Sequence, residues 1–266
     1  KPTKEEIKSI ATISSNDLEI GNLVSEVFYK MKSRYAIRIE ESKVEKTYYD
    51  IKKGYSLDID NIPNLYFDDK TKIELDDVFV LIFRGYLDNL EDISFIINDF
   101  INSKKNLIIF ADDINEMIEQ QLITFNLESN ANIYIFKLPD YASRKEAIVK
   151  DLLIICNCNV KSDNISFNDL GNVSKCIIQK EEILLVNNKN TNITKYINNL
   201  KKQLKVIYND YEKEFLLSRI AKLEKGIATI YVGGITKTEK KEKIMRFIDA
   251  LCAVGVAYNG VVDGEG

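Results

Sequence analysis

The sequence predicts an α/β fold. Three short apolar runs, Val78–Phe83, Leu107–Ala111 and Ile133–Phe136, read as buried strands, and between them Leu90–Ile101 and Ile114–Phe125 carry helical periodicity. That strand–helix–strand alternation argues for a sheet with some parallel pairing. The composition supports a core of this kind: 266 residues, 45% hydrophobic and 29% charged, can fill one large domain or two small ones.

From the N-terminus, Thr3 with Glu6 three residues on forms a capping box behind Pro2, so a short helix opens the chain, with Ile7 and Ile10 as its first apolar positions. Ile20, Leu23, Val24, Val27, Phe28 and Met31 follow the i, i+3, i+4, i+7 rule, which predicts an amphipathic helix over Leu18–Met31. Tyr35, Ile37 and Ile39 alternate with Ala36, Arg38 and Glu40, the pattern of a strand. Beyond the central α/β stretch, a helix is predicted from Ser143 to Ile155, with Ser143 as N-cap and Glu146 three residues later. Cys176–Ile178 and Ile183–Val186, joined by a polar turn around Lys180 and Glu181, predict a β-hairpin, and the Asn-rich stretch Asn187–Asn192 a surface loop. Two helices are expected within Ile193–Lys225, separated at Asn209-Asp210, where Asn209 and Glu212 make a second capping box. Gly226 ends the second of these where a positive φ costs glycine little. Ile227–Val232 is a final strand, Gly233-Gly234 a turn and Thr236–Ala253 a charged amphipathic helix, followed by a glycine-rich end. No internal repeat and no Pro/Gly/Ser-rich linker divides the chain.

Composition also excludes. With no histidine, Ser-His-Asp and Cys-His catalytic arrangements, HExxH zinc sites and the two-His-one-carboxylate iron site are all ruled out. Thirty-seven basic residues against 41 acidic ones, a net charge of -4, create no field for nucleic acid or an anionic membrane. Cys156, Cys158, Cys176 and Cys252 are too few and too unevenly spaced for a disulfide framework or an all-cysteine zinc site, so buried, reduced thiols are expected. No apolar run approaches the roughly 20 residues of a membrane span. The start, Lys-Pro-Thr-Lys, lacks both an initiator Met and a signal-peptide apolar stretch, as expected of a piece excised from a longer chain.

Several segments share their order and spacing with one family. Ala11-Thr12-Ile13-Ser14 with Asn16 and then Gly21, the run Asn209–Glu214 continuing to Arg219–Leu223, and Ile230–Gly234 followed by Thr238-Glu239, Lys241–Lys243, Arg246 and Asp249–Leu251 together resemble the group I chaperonins, the GroEL type of bacteria, mitochondria and plastids. The resemblance spans nearly the whole chain but only two of that family's three domains. It implies an apical domain with a sheet or β-sandwich core flanked by helices, over residues 53–227. It also implies a small helical and β hinge domain formed from both chain ends, 1–52 and 228–266. No stretch resembles the family's Gly-Asp-Gly-Thr-Thr phosphate loop.

The resemblance carries residue roles with it. Asp249 stands at the position of the carboxylate that orients the attacking water in ATP hydrolysis, a role suited to a hinge-borne group; without the family it is a solvated helix carboxylate. Ile13 and Ser14 match positions lining the nucleotide pocket, the alternative being a core contact and a helix cap. Gly264 and Glu265 fall in the glycine-rich segment where backbone approaches nucleotide. Here the chain departs from the family by being one residue shorter, and a Glu265 carboxylate repels polyphosphate unless it faces away. Unfolded polypeptide and a GroES-type co-chaperonin are expected in an apical groove that shows apolar residues to solvent. Leu65 and Tyr66 would supply its extended segment, Ile97 its first helix and Ile123 its second, with ordinary core as the alternative for each. Ser94, Glu119 and Thr124, and Asn61 in place of an aromatic, make this groove more polar than is usual in the family.

The leading expectation is therefore the client-binding apical domain and hinge of an ATP-dependent chaperonin subunit, inactive as an ATPase by itself. ATP and Mg2+ belong to the longer parent, none bound to this piece, and no metal site is expected within the chain. A homo- or hetero-oligomeric ring is expected of the parent, and a monomer or weak dimer of the piece. The mitochondrial matrix, the plastid stroma or the bacterial cytoplasm is the expected compartment; abundant Asn, Lys and Ile suit an AT-rich genome. A second reading is a divergent ring subunit with impaired ATP turnover that serves as an assembly partner, motivated by Glu265 and the polar groove. A third is an unrelated enzyme holding Mg2+ on Asp112 and Asp113 after the Leu107–Ala111 strand.

Overall fold

The computed structural model describes residues 2–60, 62–67, 71–129, 131–139, 142–161, 165–187 and 192–258. The elements run in the order α1 (Lys4–Ser15), α2 (Leu18–Met31), β1 (Ile37–Glu41), β2 (Tyr48–Lys52), β3 (Tyr55–Asp58), β4 (Ile73–Leu87), α3 (Ser94–Ser103), β5 (Asn106–Ile114) and α4 (Glu116–Ser129). They continue with β6 (Asn132–Lys137), α5 (Ala142–Cys156), β7 (Val160–Lys161), β8 (Gly171–Gln179), β9 (Glu182–Val186), α6 (Ile193–Leu204), α7 (Asp210–Lys225), β10 (Ile227–Val232) and α8 (Lys237–Ala257). The α/β class read from the sequence is the class observed.

The chain divides into two compact units, Lys1–Lys53 with Leu200–Gly266, and Gly54–Asn199. The first division falls beside the expected one at 52/53. The second falls at 199/200 and not at 227, because α7 belongs with the chain ends. Ala221 of α7 is buried in the same core as Val24 and Ala228, and Glu214 pairs with Arg34 at 2.6 Å.

In the first unit β10 is the central strand, paired parallel with β1 (Ile37 opposite Ala228) and antiparallel with β2 (Ile227 opposite Lys52). Ile7, Val24, Phe28, Ile230, Phe247 and Val254 form a core shared by this sheet with α1, α2 and α8. The helix ends follow their sequence signals. Thr3 and Glu6 make the full reciprocal capping box on α1. Asn209 accepts from the N–H groups of Tyr211 and Glu212, half of the box expected there. Gly226 caps α7 at φ 75, and a Cβ at this position would stand 2.1 Å from the Lys52 carbonyl oxygen, so both conformation and space require glycine.

The second unit is built on a seven-stranded sheet ordered β3-β9-β8-β4-β5-β6, with β7 also paired to β4. β4, β5 and β6 run parallel, as the α/β alternation predicts, with Val80 opposite Ile108 and Ile108 opposite Tyr134. The first half of β4 pairs antiparallel with β8, and a bulge between Phe83 and Tyr86 contains Gly85 at φ 108. Leu81, Ile97, Phe100, Leu107, Leu122 and Ile135 lie in the core under α3 and α4.

Several local expectations differ from the structure. Leu90–Ile101 is a 3-10 turn at Leu90–Asp92 followed by α3, broken where Ile93 leaves helical geometry with ψ 3. Tyr35 lies in a 3-10 turn and not in the strand. Ser143 lies inside α5, one residue past its start, so it is no N-cap. Cys156 and Cys176 are buried as expected, and burial pushes the Cys176 thiol up, but Cys158 is half-buried and Cys252 is exposed. No helix among the described residues is long and apolar enough to cross a membrane.

Candidate functional site

α4 lies with one face in the core and another in solvent. Asn115 starts it by accepting the Met117 N–H at 2.9 Å. Ile118, Leu122 and Ile123 are buried. On the exposed side, positions 117, 121 and 125 repeat at i, i+4, i+8 and form a stripe. Met117 is 71% exposed and Phe125 45% exposed, large apolar groups that a core-facing helix would ordinarily turn inward. They line a groove of ≈ 730 Å³ together with Leu90 from the preceding 3-10 turn. Gln120, Gln121 and Thr124 lie among these apolar groups, and Glu116 and Glu128 stand at either end of the helix. The Thr124 hydroxyl donates to the Gln120 carbonyl at 2.9 Å, so its hydrogen-bonding capacity is met within the helix.

The residues expected to form a groove separate into exposed and buried sets. Leu65 is 55% exposed. Tyr66 is buried: its hydroxyl accepts the Ile135 N–H at 3.3 Å, its ring meets Tyr134 edge-on at 5.1 Å, and burial pushes its phenol well up. Ile97 and Ile123 are 5% and 2% exposed, so both are core residues and neither presents a side chain to a partner. The apolar residues that line the groove are instead Leu90 of the 3-10 turn and Met117 and Phe125 of α4. Ser94 is half-buried and its hydroxyl donates to the Glu91 carbonyl at 3.0 Å. Glu119 is absent from the groove's lining and enters a neighbouring cleft of ≈ 500 Å³ with Asp60, Pro63, Asp113, Lys137 and Lys145, a cleft that Glu116 also lines. Burial, with the neighbouring Glu116 charge, raises the Glu119 carboxyl above the ordinary 4.5. Of the groove positions Thr124 alone was both foreseen and found lining it; Asn61 lies outside the described residues.

In the first unit, α1 and α8 pack on one core through Ile7, Ala11, Ala250 and Val254. Ile13 is 79% exposed and Ser14 is exposed, so neither is the core contact or cap that stood as its alternative. Asp249 is exposed on α8, next to buried Ala250, and its carboxylate makes no ion pair or hydrogen bond with another described residue. Gly264 and Glu265 lie outside the described residues.

Asp112 and Asp113, at the C-terminal edge of the parallel strands, are each matched to a cation. Asp112 accepts from Arg84 Nε at 2.7 Å and from the Gly85 N–H at 2.9 Å, and Arg84 reaches on to Glu146. These carboxylates hold the guanidinium well above its ordinary range. Lys137 pairs with Asp113 at 2.7 Å and lowers its carboxyl. No group of three metal-ligating side chains occurs among the described residues. The acidic pair thus sits in an ion-pair network with Arg84, Glu146 and Lys137, with the second Asp112 oxygen buried and without a partner among the described residues.

No protein-family model matches the chain. Among solved structures it is similar to the crystal structure of the chaperonin gp146 from bacteriophage EL 2 (Pseudomonas aeruginosa) in the presence of ATP-BeFx, with a TM-score of 0.69 and 18% identity. The match covers 97% of this chain and 53% of that one, so the chain spans about half the length of this structural relative. The fold is chaperonin-like.

Proposed function

We propose that the chain is the polypeptide-binding and hinge portion of a chaperonin-type ring subunit, in which the groove of the second unit holds apolar segments of non-native proteins. The observation that carries this reading is the solvent-facing apolar surface of Met117 and Phe125, with half-buried Leu90 beside them in the groove, on a helix whose other face is packed in the core of a chaperonin-like fold. A folded protein that exposes such side chains in a concave surface is built to bury them against something else. Non-native polypeptide offers matching apolar groups.

The finer assignment, to the group I type working with ATP and a GroES-like co-chaperonin in a ring, rests on the motifs around Ala11–Ser14, Asn209–Leu223 and Ile230–Leu251. Exposed Ile13 and Ser14 and the Asp249 carboxylate, unpaired among the described residues, suit one wall of a nucleotide site. By themselves these three residues supply no phosphate cradle. Bound in the longer protein, ATP with Mg2+ would supply the phosphoanhydride to be hydrolysed. Asp249 would accept a hydrogen bond from the attacking water.

The test is whether the 266-residue chain suppresses the light scattering of an aggregating, chemically denatured protein. Suppression that grows with chain concentration is expected. No suppression, with the far-UV circular dichroism of a folded α/β protein, would overturn the proposal.

A further inference from the structure

The charges around the groove are segregated. Residues 88–103 and 115–129, which contain the 3-10 turn, α3 and α4, hold seven carboxylates (Asp88, Glu91, Asp92, Asp99, Glu116, Glu119 and Glu128) and not one Lys or Arg. The chain as a whole is nearly balanced, 37 basic residues against 41 acidic. The nearest basic residues in sequence flank these segments: Arg84 is held by Asp112 and Glu146, Lys104 caps the C-terminus of α3, and Lys105 sits over the Phe79 ring.

Two of the seven line the groove itself. The carboxylates of Glu116 and Glu128 make no ion pair or hydrogen bond with another described residue, although Glu116 also borders the neighbouring cleft that holds Lys137 and Lys145. Glu116 has a local reason for its place, since the first turn of a helix favours a negative charge. Glu128 has none: it stands in the last turn of α4, where the helix dipole disfavours a carboxylate, and no basic residue shares that turn. An unpaired carboxylate at the unfavourable end of a helix, beside an apolar groove, is suited to a cation brought by something else.

We infer that the groove selects cationic apolar segments, those with large apolar side chains flanked on both sides by Lys or Arg. The inference rests on the proposed polypeptide-binding role of the same groove. Geometry sets the spacing. Glu116 and Glu128 are 12 residues apart on one helix, which is about 18 Å at 1.5 Å per residue. An extended segment at roughly 3.3 Å per residue spans that with cations five or six positions apart, and a helical one needs about twelve. Both carboxylates are exposed, so the selection acts through solvent-screened pairs and weakens with salt.

The experiment measures fluorescence anisotropy of three labelled peptides titrated with the 266-residue chain. They share one apolar centre and carry Lys, Gln or Glu at two positions six residues apart. At about 0.05 M salt the Lys peptide is expected to bind roughly three- to ten-fold more tightly than the Gln peptide, as two modest surface pairs allow, and the Glu peptide most weakly. At about 0.5 M salt the difference should shrink to less than about two-fold. Glu116→Lys with Glu128→Lys, both surface changes, should reverse the order. Equal binding of all three peptides would overturn the charge selection and leave the groove's polypeptide-binding role standing. Unchanged order in the double variant would also overturn it, since the discrimination would then come from elsewhere. Binding of none of the peptides, with the fold intact, would overturn both.

Discussion

Met117 and Ile123 are six residues apart on α4, and an aspartate introduced at each should have opposite consequences. Ile123 is 2% exposed; a carboxylate there is buried without a partner and a fully packed side chain is lost, together costing about 3–5 kcal/mol or more. That is a large part of the 5–15 kcal/mol typical of a whole domain. Met117 is 71% exposed and Phe125 45% exposed, so Met117→Asp with Phe125→Asp should cost the fold at most about 2 kcal/mol. The cost to binding is larger. The exposed share of the Phe125 ring is about 70–110 Å² of a 150–250 Å² aromatic, or about 2–3 kcal/mol at ~25 cal/mol per Å². Met117 would add about 1–2 kcal/mol. After ordering of the side chains on both partners, about 2 kcal/mol should remain, roughly a 30-fold loss of affinity. Thermal melting by circular dichroism reads the first quantity and anisotropy of an apolar peptide the second. A cooperative melt for Ile123→Asp at the unsubstituted temperature, or full peptide affinity in the Met117/Phe125 double variant, would refute the division of α4 into a buried and a binding face.

Three further predictions concern stability. Because the Glu119 carboxyl is raised by burial, the folded state binds the proton more tightly than the unfolded, so this group's contribution is favourable below its ordinary 4.5 and is lost as pH rises through the folded value. Glu119→Gln should therefore raise the melting temperature at pH 7 and leave it nearly unchanged at pH 4, as differential scanning calorimetry at the two pH values would show. Arg84→Met strands Asp112, whose second oxygen is already buried without a partner among the described residues, and should cost about 1–3 kcal/mol by urea unfolding. Adding Asp112→Asn should recover part of that loss, and strict additivity would contradict the pairing. Gly226→Ala meets both an unfavourable φ and the Lys52 carbonyl, so a loss of about 1–3 kcal/mol is expected in the same assay.

Much of the fold was legible because its elements have strong one-dimensional signals. The parallel strands are unbroken apolar runs, buried on both faces, and Thr3 with Glu6 fixes the start of α1 by a local hydrogen-bond pair. β2 and β3 were not foreseen. Tyr48–Lys52 is mostly polar or half-buried, and it is a strand because β10 lies beside it, a contact of long sequence separation. The division at Asn199/Leu200 was also missed, since α6 runs through it as one amphipathic helix and no composition change marks it.

The candidate site was half legible. Helical periodicity and the family resemblance brought out the segment that becomes α4, yet its apolar residues, Met117, Ile118, Leu122, Ile123, Phe125 and Leu127, surround the helix axis. With apolar groups on every side, period 3.6 cannot say which stripe packs inward. The most strongly apolar, β-branched candidates, Ile97 and Ile123, went to the core, where rigid branched side chains pack best. The flexible thioether of Met117 and an aromatic ring among glutamines were left at the surface, a composition that suits adaptable binding. Glu119 belongs to the groove only by the family resemblance; one helical step turns it into the neighbouring cleft.

The central claim, that α4 captures non-native polypeptide through its solvent-facing stripe, is tested most directly by site-specific photo-crosslinking. A photoreactive side chain at position 117, and as a control at position 235, which is 79% exposed in the other unit, would each be irradiated with an acid-denatured protein and with its native form. Cross-linking from 117 to the denatured protein, with little to the native form and little from 235, is the predicted result. Equal yields from both positions, or a yield from 117 indifferent to whether the protein is folded, would contradict it.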